Sequence, residues 1–357
     1  DPSVIDEMSP YLYEKYGNAS SNSHVFGWEA KEAVTMAKER IANLINAQHN
    51  EIYFTSGATE SINLALKGIE PKHIITLNTE HPATLDVCAH LQSRGCDISY
   101  IQVPENGIIN TNMILKYIRE DTSLISIMHA HNEIGVIQPI KEIGNLCNEN
   151  QILFHVDAAQ SAGKIFIDIN EMNIDLLSIS SHKMYGPKGV GALCIRRKNP
   201  KINIKPIFHG GGHQDDIRPG TLAVPIIVGF GKACDISNDT MKKESKKLLK
   251  MRNHLLSGVK NNIDNFIING DLEKRLPGNL NISFVNNSSE QIIMKLRDIA
   301  VSNGSACTSE SSEPSHVLKA IGRNNNLSRS SIRFGIGRFN TIKEINYTIN
   351  KLKKILN

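Results

Sequence analysis

No run of apolar residues approaches the roughly 20 that a membrane-spanning helix needs, so the sequence predicts no membrane partner. A secretory signal is also missing at the start, and the first residue is Asp1 rather than Met, which indicates a fragment or a processed form. The net charge is only +4 over 357 residues, and no arginine-rich stripe with interleaved aromatic residues is present. We therefore expect no nucleic-acid binding.

Cysteine is scarce, and its spacing excludes two common structural uses. None of the six cysteines forms a CxxC metal pair, and disulfide frameworks belong to much shorter secreted chains, so a reducing compartment is favoured. Five lie within or beside apolar segments and are predicted to be small core residues; these are Cys88, Cys96, Cys147, Cys194 and Cys234. Cys307 differs, because it lies in the small, polar stretch 302–310.

The hydrophobic pattern predicts an α/β protein with two domains. Short apolar runs alternate with amphipathic stretches up to about residue 235, which is typical of a mostly parallel, buried sheet flanked by helices. The later sequence predicts a smaller α+β domain. We place the large domain at 10–238 and the small domain at 239–357, with residues 1–9 packing near it. Strands are predicted at 51–54, 73–77, 124–129, 152–156, 176–180, 190–195, 280–285 and 331–334, and helices at 61–67, 140–149, 240–261, 290–298 and 342–355.

A turn of small residues, 55–61, joins a predicted strand to a predicted helix. Such a turn leaves backbone N–H groups pointing outward, and a helix N-terminus favours an anion. A phosphate group is therefore one candidate ligand, with the Thr59 hydroxyl as an added donor. The alternative is an ordinary helix N-cap formed by Thr55 or Ser56.

Two charged residues end neighbouring apolar strands, where the crevice of an open α/β sheet binds ligands. Asp157 is costly there unless it is paired, and a protonated pyridine nitrogen is a fitting partner. Lys183, 26 residues later, can form a Schiff base, while Ser180 and His182 can donate to a phosphate. The alternatives are an N-cap for Asp157 and a surface charge for Lys183.

Three further residues suggest chemistry. His81 follows a predicted strand and is a candidate acid or base, or else an ordinary surface histidine. Arg333 lies in a short apolar strand and needs an anion, either a substrate carboxylate or a structural acidic residue. Cys307 has no histidine close by in sequence, since the nearest is His316. A sulfur acceptor therefore fits Cys307 better than a protease-type nucleophile.

Taken in order, these residues resemble the IscS/NifS-type cysteine desulfurases, which are fold-type I pyridoxal-phosphate enzymes related to class V aminotransferases. The likeness extends from Tyr16 to Phe339. Its most specific parts are TSGATES at 55–61, NEIGV at 132–136, HKMYGPKG at 182–189, GGGH at 210–213 and GSACTS at 304–309. The resemblance implies a seven-stranded sheet in the large domain, and the long Ser-rich stretch around Cys307 implies the mobile-loop subgroup.

The resemblance also implies a role for each matched residue. Lys183 would hold pyridoxal 5'-phosphate and move protons, His81 would stack over the ring, and Cys307 would carry the persulfide. The other cofactor contacts would be Ala58, Thr59, Ser180 and His182 at the phosphate, Asp157 at the pyridine nitrogen, Gln160 at the ring hydroxyl, Asn132, and Thr221 from a neighbouring subunit. The substrate carboxylate would contact Asn132 and Arg333.

The implied reaction converts L-cysteine to L-alanine through an aldimine with the cofactor and leaves a persulfide on Cys307. The sulfur would pass to an iron–sulfur scaffold protein, with tRNA thiolation as a second destination. A homodimer and a small accessory subunit are further expected partners. Details at 332–337 resemble the mitochondrial and α-proteobacterial branch. A mitochondrial matrix or mitochondrion-related organelle is therefore the expected location, and bacterial cytoplasm is the alternative.

Two other functions stay open at the level of sequence. A selenocysteine lyase or another β-eliminating enzyme would release sulfide without an enzyme-bound persulfide. A non-catalytic homologue would bind partners without showing the absorbance of a bound cofactor. The second alternative is motivated by Ser181, where the family has Gly, and by Asp215 and Asp216, where the family has a Glu-Arg pair.

Overall fold

The computed structural model describes residues 1–303 and 313–356. The chain divides into two compact units. The first consists of Asp1–Ile101, Asn110–His129 and Pro139–Met241, and the second of Gln102–Ile109, Ala130–Gln138 and Lys242–Asn357. Two short segments from the first half of the chain thus belong to the second unit. The predicted domain boundary between residues 238 and 239 stays a prediction.

A seven-stranded sheet forms the centre of the first unit. Its strands are β1 Ile52–Thr55, β2 His73–Leu77, β3 Asp97–Ile101, β4 Thr122–Met128, β5 Leu153–Asp157, β6 Leu176–Ser180 and β7 Gly191–Ile195. Their order is β1-β7-β6-β5-β4-β2-β3. Neighbouring strands are parallel except at β7, which is antiparallel to both β1 and β6. Nearly every residue of the inner strands β2, β4, β5 and β6 is buried, because a sheet covered on both faces has no solvated side.

The helices that begin in the first unit, within the part of the chain that the structure describes, are α1 Pro2–Met8, α2 Pro10–Tyr13, α3 Val25–Ile45, α4 Ala58–Gly68, α5 Pro82–Ser93, α6 Thr111–Leu115, α7 Ile140–Glu149 and α8 Val224–Asn262. Single 3-10 turns occur at His49–Glu51 and Ser181–Met184. In α7 the buried side chains of Ile140, Ile143 and Cys147 recur three and four residues apart, which forms one apolar stripe.

The second unit contains a three-stranded antiparallel sheet and short helices. Its strands are β8 Phe266–Ile268, β9 Asn279–Phe284 and β10 Ser331–Gly335, in the order β10-β9-β8, and its helices are α9 Ser289–Lys295, α10 His316–Ala320, α11 Asn325–Arg329 and α12 Ile342–Leu356. A core that includes Leu255, Phe284, Leu296, Ile332 and Leu352 packs these elements together.

The observed elements agree with the predicted architecture, namely a mostly parallel sheet flanked by helices and a smaller α+β part. The bounds of β2, β6 and α7 coincide with their predicted ranges. Helix α8 begins at Val224, whereas the predicted helix begins at residue 240. The prediction missed the first turns because they are largely buried and apolar, with Ile227 and Phe230 among them, and show no amphipathic period. None of the helices in residues 1–303 and 313–356 combines the length and the apolar character that a membrane crossing requires.

Candidate active site

Asp157 ends β5, and only 4% of its surface is exposed. Its Oδ1 accepts the N–H of Ala159 at 2.9 Å. Burial raises the pKa of the Asp157 carboxyl to about 6, against the opposing effects of this N–H and of the nearby Lys183 charge. The residues that follow form hydrogen-bonded turns rather than an α-helix, and Asp157 caps the first of these turns through this hydrogen bond. A buried carboxylate with this environment is matched by a cation.

Lys183 lies at the same edge of the sheet as Asp157. Strands β5 and β6 are parallel neighbours, with Asp157 opposite Ser178, so their carboxyl ends meet. After Ser180 ends β6, one 3-10 turn carries His182 and Lys183, and both side chains are exposed. The charge of Lys183 acts on Asp157 and contributes to lowering the pKa of His182, whose largest cause is burial. The structure thus brings the predicted amine and the predicted carboxylate together.

Helix α4 presents an N-terminus without a side-chain cap. Its N-cap is Gly57, with a φ of 153°, and a Cβ added there would meet no heavy atom within 4 Å. The Thr55 hydroxyl is hydrogen-bonded to that of Ser61 at 2.8 Å and accepts the N–H of Gly57 at 3.4 Å, so it does not cap the helix, whose N-cap is Gly57. Thr59 is exposed and Ala58 is partly exposed. The free N–H groups of such an N-terminus attract an anion.

Gly191 brings this helix N-terminus close to the end of β6. Strand β7 lies between β1 and β6, and Gly191 pairs with Thr55 on one side and with Ser180 on the other. A Cβ on Gly191 would lie 2.7 Å from the Cα of Gly57, so only glycine allows this approach. The Ser180 hydroxyl is hydrogen-bonded to Nδ1 of His182 at 3.0 Å. The four predicted phosphate contacts therefore come from the ends of β1 and β6, the two strands that flank β7.

His81 and Gln160 are held by local hydrogen bonds. His81 follows β2 and caps α5, since its Nδ1 accepts the N–H of Ala83 at 3.1 Å. Gln160 accepts a hydrogen bond from Nζ of Lys164 at 3.1 Å. Thr221 is exposed shortly before α8, and the structure contains a single chain. The stacking role of His81 and the neighbouring-subunit role of Thr221 stay predictions.

Asn132 and Arg333 belong to the second unit and contact each other. Arg333 lies on β10, and its Nη1 donates to the main-chain carbonyl of Asn132 at 2.8 Å. Asn132 lies in a turn that ends near Gly135, whose φ is +71°. A Cβ on Gly135 would lie 2.4 Å from Oδ1 of Asn279, so glycine is required there as well. An acidic residue was the alternative partner predicted for Arg333. Glu133 is a candidate for it, because the Arg333 charge acts to lower the pKa of the Glu133 carboxyl.

Cys307 lies outside the described residues, so its role stays a prediction. The other five cysteines are buried, as the sequence predicted for core residues. Burial raises the pKa of Cys88 to about 12 and also raises the pKa of the thiols of Cys194 and Cys234. A thiol with so little thiolate character is a poor nucleophile.

Sequence reasoning missed a group of buried polar residues beside Asp157. Oε1 of Glu80 accepts the N–H of Met128 at 2.8 Å, and burial, followed by the charge of Asp157, raises the pKa of Glu80 well above its usual range. His155 is hydrogen-bonded to the hydroxyls of Ser126 and Ser178. The available signal was the presence of ionisable residues within or directly after apolar strands.

Pyridoxal phosphate fits these side chains. Its pyridine nitrogen, when protonated, supplies the cation that buried Asp157 needs, and its carbonyl carbon is the natural partner of the Lys183 amine. Its phosphate matches the uncapped N-terminus of α4. These three features of the residues present agree with the group that the sequence predicted.

Comparison with known proteins gives the same assignment. Residues 1–348 match the family model for aminotransferase class V. The chain is 50% identical over 360 residues to a probable mitochondrial cysteine desulfurase of Dictyostelium discoideum, a match that covers 99% of this chain and 80% of that protein. It is also 50% identical to the cysteine desulfurase IscS of Vibrio campbellii, which covers 99% of this chain and 89% of that protein.

Solved structures agree with these relatives. A NifS-like protein superimposes with a TM-score of 0.92 at 35% identity, covering 100% of this chain and 96% of the other. A structure of SspA in complex with cysteine superimposes with a TM-score of 0.84, also at 35% identity, and covers 96% of each chain. The predicted fold type and pyridoxal-phosphate dependence are therefore confirmed by family membership. The chain belongs to the class V aminotransferase family and, within it, to the IscS/NifS-type cysteine desulfurases.

Proposed function

We propose that the chain is a cysteine desulfurase that converts L-cysteine to L-alanine and transfers the sulfur to Cys307. One observation carries this proposal: Lys183 and buried Asp157 meet at the ends of β6 and β5 in a chain half identical to proteins named cysteine desulfurases. The complex of SspA with cysteine supports the choice of substrate, because SspA has the same fold and is 35% identical to this chain.

The residues of the first unit would hold the cofactor. Pyridoxal phosphate, when bound, supplies an electron sink that acidifies the Cα proton of cysteine and weakens its Cβ–S bond. Asp157 would keep the pyridine nitrogen protonated, while Lys183 would hold the carbonyl carbon and then move the Cα proton. His81 would stack over the ring, and Gln160 would donate to its hydroxyl. The phosphate would bind Ala58, Thr59, Ser180 and His182, with Thr221 contributed by the other subunit of a homodimer.

In the second unit, Asn132 and Arg333 would bind the substrate carboxylate. Arg333 is oriented by its hydrogen bond to the Asn132 carbonyl, and its planar guanidinium suits a planar carboxylate. Because a fixed orientation lowers the entropy lost on binding, this pair would favour one pose of the amino acid. Asn132 would also contact the cofactor ring.

Cys307 would accept the sulfur as a thiolate. Its sulfur attacks the substrate sulfur, so an S–S bond forms while the Cβ–S bond breaks. The electron pair of the broken bond stays with the carbon fragment, which gains a proton at Cβ and leaves as alanine. Cys307 is left as a persulfide. Since Cys307 lies outside the described residues, this step is supported by the motif at 304–309 and by the relatives.

The persulfide sulfur would be delivered to an iron–sulfur scaffold protein, with tRNA thiolation as a second route and a small accessory subunit as a further partner. The relatives include one named as mitochondrial and one from a bacterium. We propose the mitochondrial matrix or a mitochondrion-related organelle as the location, with bacterial cytoplasm as the alternative.

A spectrum and a mass measurement test this function. The protein with added pyridoxal phosphate is expected to show the absorbance of bound cofactor, to produce alanine from L-cysteine, and to gain one sulfur atom on the Cys307 peptide. Cys307→Ser should abolish persulfide formation, whereas Cys96→Ser serves as a matched control because Cys96 is buried. Sulfide release at the same rate from Cys307→Ser would instead indicate a β-eliminating enzyme, and absence of cofactor absorbance would indicate a non-catalytic homologue.

A further inference from the structure

Asn132 is linked to the chain just before the stretch that carries Cys307. The main chains of Arg333 and Ser302 exchange two hydrogen bonds, at 2.7 and 3.3 Å. Arg333 in turn donates to the carbonyl of Asn132 at 2.8 Å. The described residues before the Cys307 segment, 304–312, end at Asn303, so this contact holds the chain one residue before that point.

Glu133 provides the matching link on the other side of that segment. Its Oε2 accepts the hydroxyl proton of Ser315 at 2.6 Å, and only 3% of Glu133 is exposed. The Ser315 hydroxyl also accepts the N–H of Leu318 and caps α10. The carbonyl of Glu133 accepts the side-chain amides of Asn279 and Asn281, at 3.2 Å each. One dipeptide, 132–133, is therefore tied to both ends of the segment.

Burying the carboxylate of Glu133 in this position costs free energy. Burial raises its pKa, while the Ser315 hydroxyl and the charges of His316 and Arg333 act in the opposite direction. An apolar side chain of similar volume would be easier to bury, because a carboxylate loses its hydration. The presence of an acidic residue here is explained if its hydrogen bond to Ser315 serves the reaction.

We propose that Glu133 is a positioning residue for sulfur transfer: it holds Ser315, and with it the point where the chain leaves the Cys307 segment, at a fixed place relative to Asn132 and Arg333. This inference rests on the proposed function. Glu133 does not touch the reacting atoms, and it acts through Ser315. Loss of the hydrogen bond between Glu133 and Ser315 should slow transfer of sulfur to Cys307. It should not affect removal of the Cα proton, which is assigned to Lys183.

The test separates the two steps with Glu133→Ala, Glu133→Gln and a control. Exchange of the Cα proton of L-alanine in D2O measures the proton step, because alanine has the same carboxylate and amine as cysteine and no sulfur. A single turnover with L-cysteine measures persulfide on Cys307. Glu133→Ala should slow persulfide formation at least about tenfold, since a displacement of 1 Å can cost about a hundredfold, and should leave proton exchange within about twofold. Glu133→Gln keeps an acceptor for Ser315 and should restore most of the rate.

Asn324→Ala is the control for the loss of a helix cap. Asn324 caps the neighbouring α11 by accepting the N–H of Leu327 at 2.9 Å, and it has no hydrogen bond to Glu133. Hydrogen exchange of the α10 amides in cofactor-free protein gives a readout that is independent of catalysis. This exchange should be faster in Glu133→Ala than in the wild type or Asn324→Ala. If Glu133→Ala does not fold, Ser315→Ala compared with Asn324→Ala decides the question by the same measurements.

Three results would overturn the positioning role: equal slowing of both steps, an unchanged persulfide rate in Glu133→Ala, or the same selective loss in Asn324→Ala. A wild-type protein that forms alanine but no persulfide would instead contradict the proposed function. If the wild type forms the persulfide and Glu133→Ala forms it at the same rate, the positioning role is wrong and the proposed function stands.

Discussion

Two buried polar clusters, one in each unit, are satisfied in different ways. In the first unit, the Asp157 cluster (Glu80, His129 and Asp157) is dominated by the cost of burial. Burial lowers the pKa of His129 to about 4 and raises that of Asp157 to about 6. Nδ1 of His129 is buried and has no hydrogen-bond partner among residues 1–303 and 313–356.

In the second unit, the Asn269 cluster (Asn269, Asn281, Ser283, Arg323 and Ser331) is satisfied by hydrogen bonds among its members and to neighbouring protein groups. The Asn269 side-chain amide donates to the side chains of Asn281, Ser283 and Ser331, and its Oδ1 accepts from Nε of Arg323. The two clusters therefore show two different roles for buried polar side chains. The Asn269 cluster holds three strands and a loop together, whereas the Asp157 cluster is suited to a bound cation.

The largest expected effect comes from Lys183→Ala, which removes the amine whose charge acts on Asp157. Alanine production should fall about a thousandfold or more, because both the hold on the cofactor and the proton transfer are lost. Hydrogen exchange of β9 and β10 should not change, since the Asn269 cluster does not use Lys183. Lys72→Ala, which removes an exposed lysine of the same unit, is the control. Comparable alanine production by both variants would contradict the assignment.

Asn269→Ala disrupts the Asn269 cluster of the second unit and leaves the Asp157 cluster intact. It removes four side-chain hydrogen bonds and leaves buried partners unsatisfied, so we expect a loss of about 4 kcal/mol in the free energy of unfolding. The loss should be the same with and without pyridoxal phosphate in urea titrations. A strong dependence on the cofactor would show that the Asn269 cluster is not independent of the cofactor site.

Asp157→Asn sharpens the comparison through pH. The folded pKa of Asp157, about 6, lies above the ordinary aspartate value, so the folded protein binds more protons between about pH 4 and pH 6. This aspartate therefore makes the cofactor-free protein less stable as pH rises through that window. A shift of about two pKa units corresponds to about 3 kcal/mol. Cofactor-free Asp157→Asn should be more stable than the wild type at pH 7 by up to this amount.

The cofactor should reverse that order, because the wild-type carboxylate stabilises a charged ring and asparagine does not. Urea titrations at several pH values, with and without pyridoxal phosphate, give the four free energies of unfolding. The difference between the two proteins removes the titration of His129, whose pKa is shifted by burial alone, whereas Glu80 responds to the Asp157 charge and its change is part of the measured effect. Equal pH dependence in both cofactor-free proteins would contradict an unusual pKa at Asp157.

The smallest effect is expected at an exposed ion pair. Arg119 contacts Asp97 and Asp121 at 2.9 and 2.7 Å, and all three side chains are largely solvated. Arg119→Gln should lower the free energy of unfolding less than any other variant proposed here, because solvent screens an exposed pair, and less still at high salt. A loss as large as that of Asn269→Ala would show that exposure does not separate weak from strong polar contacts in this protein.

The sequence was sufficient where one local signal decided the outcome. Strands β2 and β6 are short and mostly apolar, and Asp157 and Lys183 come at or just after the end of such strands, so the sheet and the edge that carries both side chains could be predicted. The start of α8 could not, because a helix buried on all sides has no amphipathic period. Helix α5 was missed although Pro82, at its first position, is a start signal.

Contacts between distant parts of the chain lay beyond the sequence. The hydrogen bond from Arg333 to Asn132 joins residues 201 positions apart, and that from Ser315 to Glu133 spans 182. Buried Glu80 accepts the N–H of Met128, 48 positions later, which no local pattern reveals. The family resemblance supplied the roles of Asn132 and Arg333, and the structure supplied their contact.

The protonation state of the bound cofactor tests the central claim most directly. Pyridoxal phosphate labelled with ¹⁵N at the ring can be bound to the wild type and to Asp157→Asn, and its nitrogen observed by NMR at neutral pH. The wild type should show a protonated nitrogen, and the variant should show the unprotonated signal. An unprotonated nitrogen in the wild type, or the same signal in both proteins, would contradict the pairing of Asp157 with the ring.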